Sequence, residues 1–172
     1  MFLNIIKGSA AFCTVLGLSA CEPAIEVTAP EVQAGYLAGF SQDRVAKSRI
    51  VTIRSFTGRN SERAEFAGAE CVMLSGEITA QFVTPAKVIV PAFVQKRDLP
   101  HRGRPSNLRI TCSANGHTGV ETYPAADKTV STATNAGIAG AILTSLVSGA
   151  IASSTPWSYP ADMAVQVDGV SQ

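Results

Sequence analysis

The sequence predicts a mainly β protein: a small antiparallel β-sandwich with one disulfide, joined to a Gly/Ala-rich segment that is either helical or loosely ordered. Three observations carry this. Residues 44–128 hold short runs of Val, Ile, Phe and Thr broken by Gly, Pro, Asn and Ser, the punctuation of short strands and turns. Two of these runs, near 77–82 and 107–113, alternate apolar with polar, so each should bury one face. Residues 129–161, by contrast, contain no charged side chain and are rich in Gly and Ala.

Residues 1–20 read as an export signal, with Lys7 as the only charge and an eleven-residue weakly polar to apolar stretch from Gly8 to Leu18, too short to span a bilayer. Leu18-Ser19-Ala20-Cys21 follows. This run resembles the lipobox of bacterial lipoproteins, in which a branched apolar residue and two small ones admit a signal peptidase to the bond before cysteine. The resemblance implies that Leu18, Ser19 and Ala20 are recognition positions and that Cys21 is lipidated. A thiol can carry diacylglycerol as a thioether and the freed amine a further acyl chain, and two or more chains anchor stably where one does not. An ordinary secretory leader cut near Ala20, beside an incidental cysteine, is the alternative.

Residues 21–43 carry Glu22, Glu26, Glu31 and Asp43 with no basic residue, plus Pro23 and Pro30, and read as an acidic flexible tether. Val32 to Phe40 could also form a short helix on docking. Within 44–128, Ile50 to Phe56 is the first expected strand, ending at a Thr57-Gly58-Arg59-Asn60 turn, and Glu70 to Leu74 is the next. Ile78, Ala80 and Phe82 should be buried, with Glu77, Thr79 and Gln81 wet. Val88, Val90, Ala92 and Val94 continue as a strand in which Pro91 argues for an edge or a bulge. Leu108, Ile110 and Cys112 should point inward, with Asn107, Arg109, Thr111 and Ser113 outward.

Four cysteines become two when Cys13 leaves with the leader and Cys21 takes lipid. The remaining pair, Cys71 and Cys112, predicts a disulfide, because an exported chain meets an oxidising compartment. Closing a loop of about forty residues would stabilise the fold by about 4 kcal/mol on the chain-entropy argument. Two buried free thiols are the alternative.

Gly68-Ala69-Glu70-Cys71-Val72-Met73-Leu74, Thr84-Pro85-Ala86-Lys87-Val88 and Leu108-Arg109-Ile110-Thr111-Cys112-Ser113-Ala114-Asn115-Gly116 follow one another in an order that resembles small Gram-negative envelope lipoproteins. Their outline is a Gly-Ala-x-Cys strand, a Thr-Pro turn and a second strand bearing the partner cysteine ahead of a glycine, similar to PEGA-type β-sandwich modules. A Gly/Ala-rich segment (Asn135 to Ser153) and a late Tyr-Pro strand (Tyr159 to Val165) extend the resemblance over roughly residues 65–168. Two features depart from the pattern: Ser75-Gly76 lacks the usual asparagine, and no tryptophan precedes Thr84. The resemblance implies an envelope module and brings no catalytic residue with it.

In the uncharged segment, 129–157, Gly137, Ala141, Ser145, Gly149 and Ser153 recur every four residues, which on a helix makes one stripe open to close backbone approach. Ile138, Ile142, Leu146 and Ile151 add bulkier apolar surface. Three arrangements stay open: a helix or helical hairpin packed on the β domain, membrane contact or self-association through the stripe, and a loosely ordered loop. Trp157 and Tyr159 suit either a membrane interface or a plug at the end of the sandwich. Residues 158–172 should finish as a strand, since Met163, Val165 and Val167 alternate with Ala164, Gln166 and Asp168.

Once Lys7 is removed, thirteen basic side chains balance thirteen acidic ones, which argues against nucleic acid as a partner. The densest charge is Lys96-Arg97-Asp98-Leu99-Pro100-His101-Arg102-Gly103-Arg104, a loop by its Pro and Gly. Lys96, Arg97, Arg102 and Arg104 are candidates for contact with anionic head groups or cell-wall carboxylates, against the bland alternative of a solvated loop. His101 and His117 fit no metal pattern, His117 reading instead as part of a hairpin turn, and no catalytic motif, phosphate loop or dinucleotide fingerprint occurs. The expectation is a non-catalytic envelope protein without cofactor or metal. Its partners are membrane lipid through Cys21 and an envelope protein or a second copy. Glu22 after the lipidated cysteine, where inner-membrane retention uses aspartate, points to the outer membrane.

Overall fold

The computed structural model describes residues 23–127 and 155–170. They form ten strands in two five-stranded sheets, with three short 3-10 turns and no α-helix among the described residues. The first sheet contains β1 (Val32–Gln33), β7 (Ala86–Phe93), β3 (Val45–Thr57) and β10 (Asp162–Gln166) in that order, with β4 (Ala64–Phe66) also paired to β3. The second runs β2 (Gly35–Tyr36), β6 (Ile78–Val83), β5 (Glu70–Leu74), β8 (Leu108–Ala114), β9 (His117–Tyr123). The leader with Leu18, Ser19, Ala20 and Cys21, and the stripe of Gly137, Ala141, Ser145, Gly149 and Ser153, lie outside the described residues.

Period-two patterning places the core. Val51, Ile53, Val88, Val90 and Val165 from the first sheet meet Met73, Ile78, Leu108 and Ile110 from the second in one buried cluster, each almost wholly removed from water. A fully buried aliphatic side chain of this kind contributes about 1.5–3 kcal/mol. Cys71 lies directly opposite Cys112 in the β5–β8 ladder, and the two form a disulfide between neighbouring strands of one sheet, with Cα atoms 4.1 Å apart. The β8–β9 hairpin turns on Asn115-Gly116, both at positive φ (51° and 80°), as a two-residue primed turn requires.

The purely antiparallel expectation is corrected at both chain ends of the domain. β1 pairs with β7 in parallel, and β10 pairs with β3 in parallel over Asp162 to Gln166. Neither joins its partner by a hairpin: β1 leads on into the other sheet through β2, and β10 follows β9 of the other sheet, so turn geometry does not impose an antiparallel direction. The short-helix option for Val32 to Phe40 is replaced by β1 and β2, which bridge the two sheets around buried Ala34. Residues 32–40 therefore belong to the folded body and not to a flexible tether. Ile25 is held as well, its N–H donating to Glu65 (3.2 Å) and its carbonyl accepting from Arg54 (2.7 Å).

β3 begins at Val45, five residues before the expected Ile50, because its polar first half pairs with β7 across a bulge at Ala46. Pro91 sits where β7 has an open flank. On that side Ala34 donates to the Ile89 carbonyl and Trp157 bonds Phe93, and Pro91, lacking an N–H, occupies the gap between them. Glu77, expected on the wet face, is buried. Its carboxylate accepts from the Ser75 hydroxyl (3.1 Å) and from the Ser106 N–H (3.1 and 3.2 Å) and hydroxyl (3.3 Å), which replaces the water it loses.

The two sheets close against each other where β10 meets β9. The Tyr123 hydroxyl donates to the Ala164 carbonyl (2.5 Å) and accepts from the Ala164 N–H (2.8 Å), capping the free edge of β10. Gly119 permits this approach: a Cβ there would run into the Gln166 carbonyl.

Candidate functional site

One end of the domain gathers the start of β3, the end of β7, the start of β8 and the loop from Val94 to Asn107. An aromatic ladder builds its floor. Tyr36 stacks on Phe40 (5.3 Å between centroids), Phe40 meets Phe93 edge-on (5.8 Å), and Phe93 meets Tyr159 edge-on (6.2 Å). Tyr159 is buried and donates to the Ser106 carbonyl (2.7 Å); burial pushes its phenol well above the ordinary range, against an opposing hydrogen bond with Ser75. Trp157 exchanges two 2.8 Å backbone bonds with Phe93 and packs half-buried against the core.

The basic loop is folded onto this floor. Arg44 donates to the Gly103 carbonyl (2.9 Å), the Lys96 N–H to the Arg102 carbonyl (3.1 Å), and the Trp157 indole N–H to the same carbonyl (3.2 Å). His101 and Arg102 take left-handed backbone conformations (φ 48° and 58°), which turn the chain sharply within Pro100–Gly103.

The four cations singled out in the sequence separate into different roles. Lys96 pairs with Asp43 (2.8 Å), whose carboxyl is held below its usual range by that bond and by a hydrogen bond from Ser41. Arg104 lies over the Trp157 ring, 5.6 Å from its centroid. Arg97 is exposed and Arg102 half-exposed, and neither makes an ion pair among the described residues.

Three further cations share this end and escaped the sequence reading: Lys47 and Arg49 on β3 and Arg109 on β8, none of them in an ion pair among the described residues. Alternation along 107–113 already placed Arg109 outward. Lys47 and Arg49 stood just outside the expected strand, so their end of the molecule could not be assigned.

At the opposite end three arginines are engaged, while Lys87 at the start of β7 is exposed and makes no ion pair among the described residues. Arg54 pairs with Glu65 (2.5 Å), Arg59 pairs with Asp168 (2.6 Å), and Arg63 stacks on Phe56 (3.8 Å). A half-open cleft of about 390 Å³ there is lined by Glu65, Phe66, Gly68 and Asn115 among others, and Glu65 is its one ionisable group. His117 opens β9 at the turn, as expected, with its ring beside Gly169. No group of three or more potential metal ligands occurs among the described residues. No helix among them is long and apolar enough to cross a membrane.

The chain leaves the described fold after Asp127 and re-enters at Thr155, and both crossings are at the cationic end. Ala126 and Ser158 exchange backbone bonds of 2.9 and 2.8 Å, and Gln95 donates to the Thr155 carbonyl (2.7 Å). No family model, no curated protein and no solved structure matches the chain.

Proposed function

We propose that the chain is a lipid-anchored protein of the bacterial cell envelope, attached through Cys21, with a non-catalytic structural or interaction role. The observation that carries this is the Cys71–Cys112 disulfide behind a lipobox-like Leu18-Ser19-Ala20-Cys21, since a buried disulfide belongs to an oxidising compartment beyond the cytoplasm. The resemblance to small Gram-negative lipoproteins with PEGA-like modules points the same way. Within that reading the two sheets act as a β-sandwich module, and Glu22 directs the anchor to the outer membrane. The small-residue stripe offers a route to self-association.

Metabolic acyl labelling with a Cys21→Ala control, followed by membrane fractionation, tests the anchor. Label should appear in the outer-membrane fraction of wild type and vanish from the variant. An unlabelled wild type overturns the proposal.

A second reading, recognition of an anionic envelope ligand through the basic loop, is favoured by one observation: Arg97 and Arg102 project from a loop pinned by three backbone-directed bonds, without an acidic partner among the described residues.

A further inference from the structure

We infer that the cationic end of the domain docks on the phosphates of an anionic lipid bilayer. The inference rests on the envelope reading above, and specifically on its second form, but not on acylation of Cys21.

The near-zero net charge conceals a separation. Besides Arg44, which is bound to the Gly103 carbonyl, six cations, Lys47, Arg49, Arg97, Arg102, Arg104 and Arg109, stand at one end without ion pairs among the described residues, whereas at the other end Arg54 and Arg59 are paired, Arg63 stacks on Phe56, and Lys87 alone is left exposed without one. The acids near the six do not neutralise them all. Asp43 is taken by Lys96, and Glu77 is buried among serine donors, which leaves Asp98 and Asp127. Opposite charges interspersed over a surface cancel within a Debye length of about 10 Å, but charges sorted to one end leave a field there. The loop is pre-organised, because Arg44 and Trp157 hold its backbone, so little ordering entropy is lost when a surface engages it.

Charge alone would suit any polyanion. The choice of a bilayer comes from where the uncharged stretch is attached. The described chain breaks off at Asp127 and resumes at Thr155, both at the cationic end, and the sequence between them contains no charge from Thr129 onward and includes Ile138, Ile142, Leu146 and Ile151. A water-soluble polyanion would satisfy the arginines and have no use for that apolar content. A bilayer uses both, phosphates outside and hydrocarbon within. Trp157, half-buried beside Arg104 at the point of re-entry, has the amphipathic chemistry of the layer between.

The test is co-sedimentation of the full, unacylated chain with vesicles of phosphatidylcholine alone and of phosphatidylcholine mixed equally with phosphatidylglycerol. Binding to the neutral vesicles measures what the leader and other apolar segments contribute. The excess on the anionic vesicles measures docking. Each cation near an anionic surface is worth roughly fivefold in partition, so with about three of the six in contact at once the excess should be on the order of a hundredfold at low salt and shrink as salt rises.

Arg97→Gln with Arg102→Gln and Arg104→Gln should lower the excess at least about tenfold, and Lys47→Gln with Arg109→Gln, away from the loop, should lower it by a similar factor. Arg54→Gln with Arg59→Gln, equal in charge to the second set but at the other end, should leave it unchanged. Equal binding to both vesicle types, or equal losses from the two ends, overturns the inference. So does tight binding to polyglutamate with no vesicle preference, which identifies a soluble polyanion as the partner. A chain unlabelled at Cys21 that still prefers anionic vesicles sinks the anchor alone; a labelled chain with no preference sinks the docking alone.

Discussion

The two ends of this domain are built by different chemistry. At the cationic end, where β3 begins and β7 stops, rings do the holding: Phe40, Phe93 and Tyr159 in sequence, with Trp157 hydrogen-bonded to Phe93. At the other end a disulfide joins β5 to β8, and two ion pairs, Arg54–Glu65 and Arg59–Asp168, engage the local charge. Where covalent and ionic links cross-connect strands, arginines are used up internally. Where aromatic packing does the same work, arginines are left without ion pairs among the described residues. Stability at one end and available charge at the other are thus two outcomes of one division of labour.

That contrast can be broken by substitution. The largest effect should come from Phe93→Ala, which empties a wholly buried site that two other rings, Phe40 and Tyr159, pack against, and should cost about 3–5 kcal/mol in urea unfolding. A loss under about 1 kcal/mol would show that the rings do not hold that end. Replacing Cys71 and Cys112 together by alanine should cost about 2–4 kcal/mol. The same double variant should leave the near-ultraviolet signal of Trp157, at the far end, unchanged in the folded state.

Tyr123→Phe removes two hydrogen bonds to the free edge of β10 and should cost about 1–2 kcal/mol. It also gives a pH test. Burial pushes the Tyr123 phenol from 10.0 up to about 12, so the folded state holds that proton more tightly. The stabilisation is complete below the unfolded value and is lost as pH rises through the folded one. Wild type should therefore lose stability between pH ~10 and ~12 more steeply than Tyr123→Phe.

The smallest effect belongs to Asp168→Asn at the ion-paired end. The hydrogen bond from Arg59, and then that from Gln166, hold the Asp168 carboxyl below its ordinary 3.8. Its contribution is present above that value and disappears as pH falls through the lower folded value. Because the pair is exposed, wild type and variant should unfold alike at neutral pH, and a large difference would mean that the ion pairs do more than engage charge.

Much of this architecture is legible in the chain wherever a face is half buried. Ile78, Ala80 and Phe82, and Leu108, Ile110 and Cys112, follow strict alternation because one side meets the core, and Asn115-Gly116 marks its turn by backbone sterics alone. What was illegible depends on partners distant in sequence. β1 and β2 are two residues long and exist only because β7 and β6 supply the other half of each ladder. Strand direction is invisible to periodicity, so the parallel pairing of β10 could not be read. Glu77 looked wet until Ser106 came to meet it, and Lys96 looked free until Asp43 did. The cationic end shares this limit. Its loop cations form one run of sequence, but Lys47, Arg49 and Arg109 reach the same end through the ladders.

The clamp on Ile25 has a consequence for motion. Its N–H and carbonyl are both taken, by Glu65 and Arg54, so slack in the chain can lie only before it. Cys21 lies four positions before it in the chain, so the proposed lipid anchor would have a reach of about 14 Å from this clamp. Anchored in the proposed way, on so short a leash, the domain would have little rotational freedom of its own. The cationic end lies five to seven strand residues along β3 from Arg54, about 17–23 Å away. On the proposed anchoring and docking, it would share a lipid plane with the anchor by tipping over until β3 runs nearly parallel to the bilayer. Anisotropy decay of Trp157 should then follow the slow tumbling of the membrane more closely than the fast tumbling of a free domain.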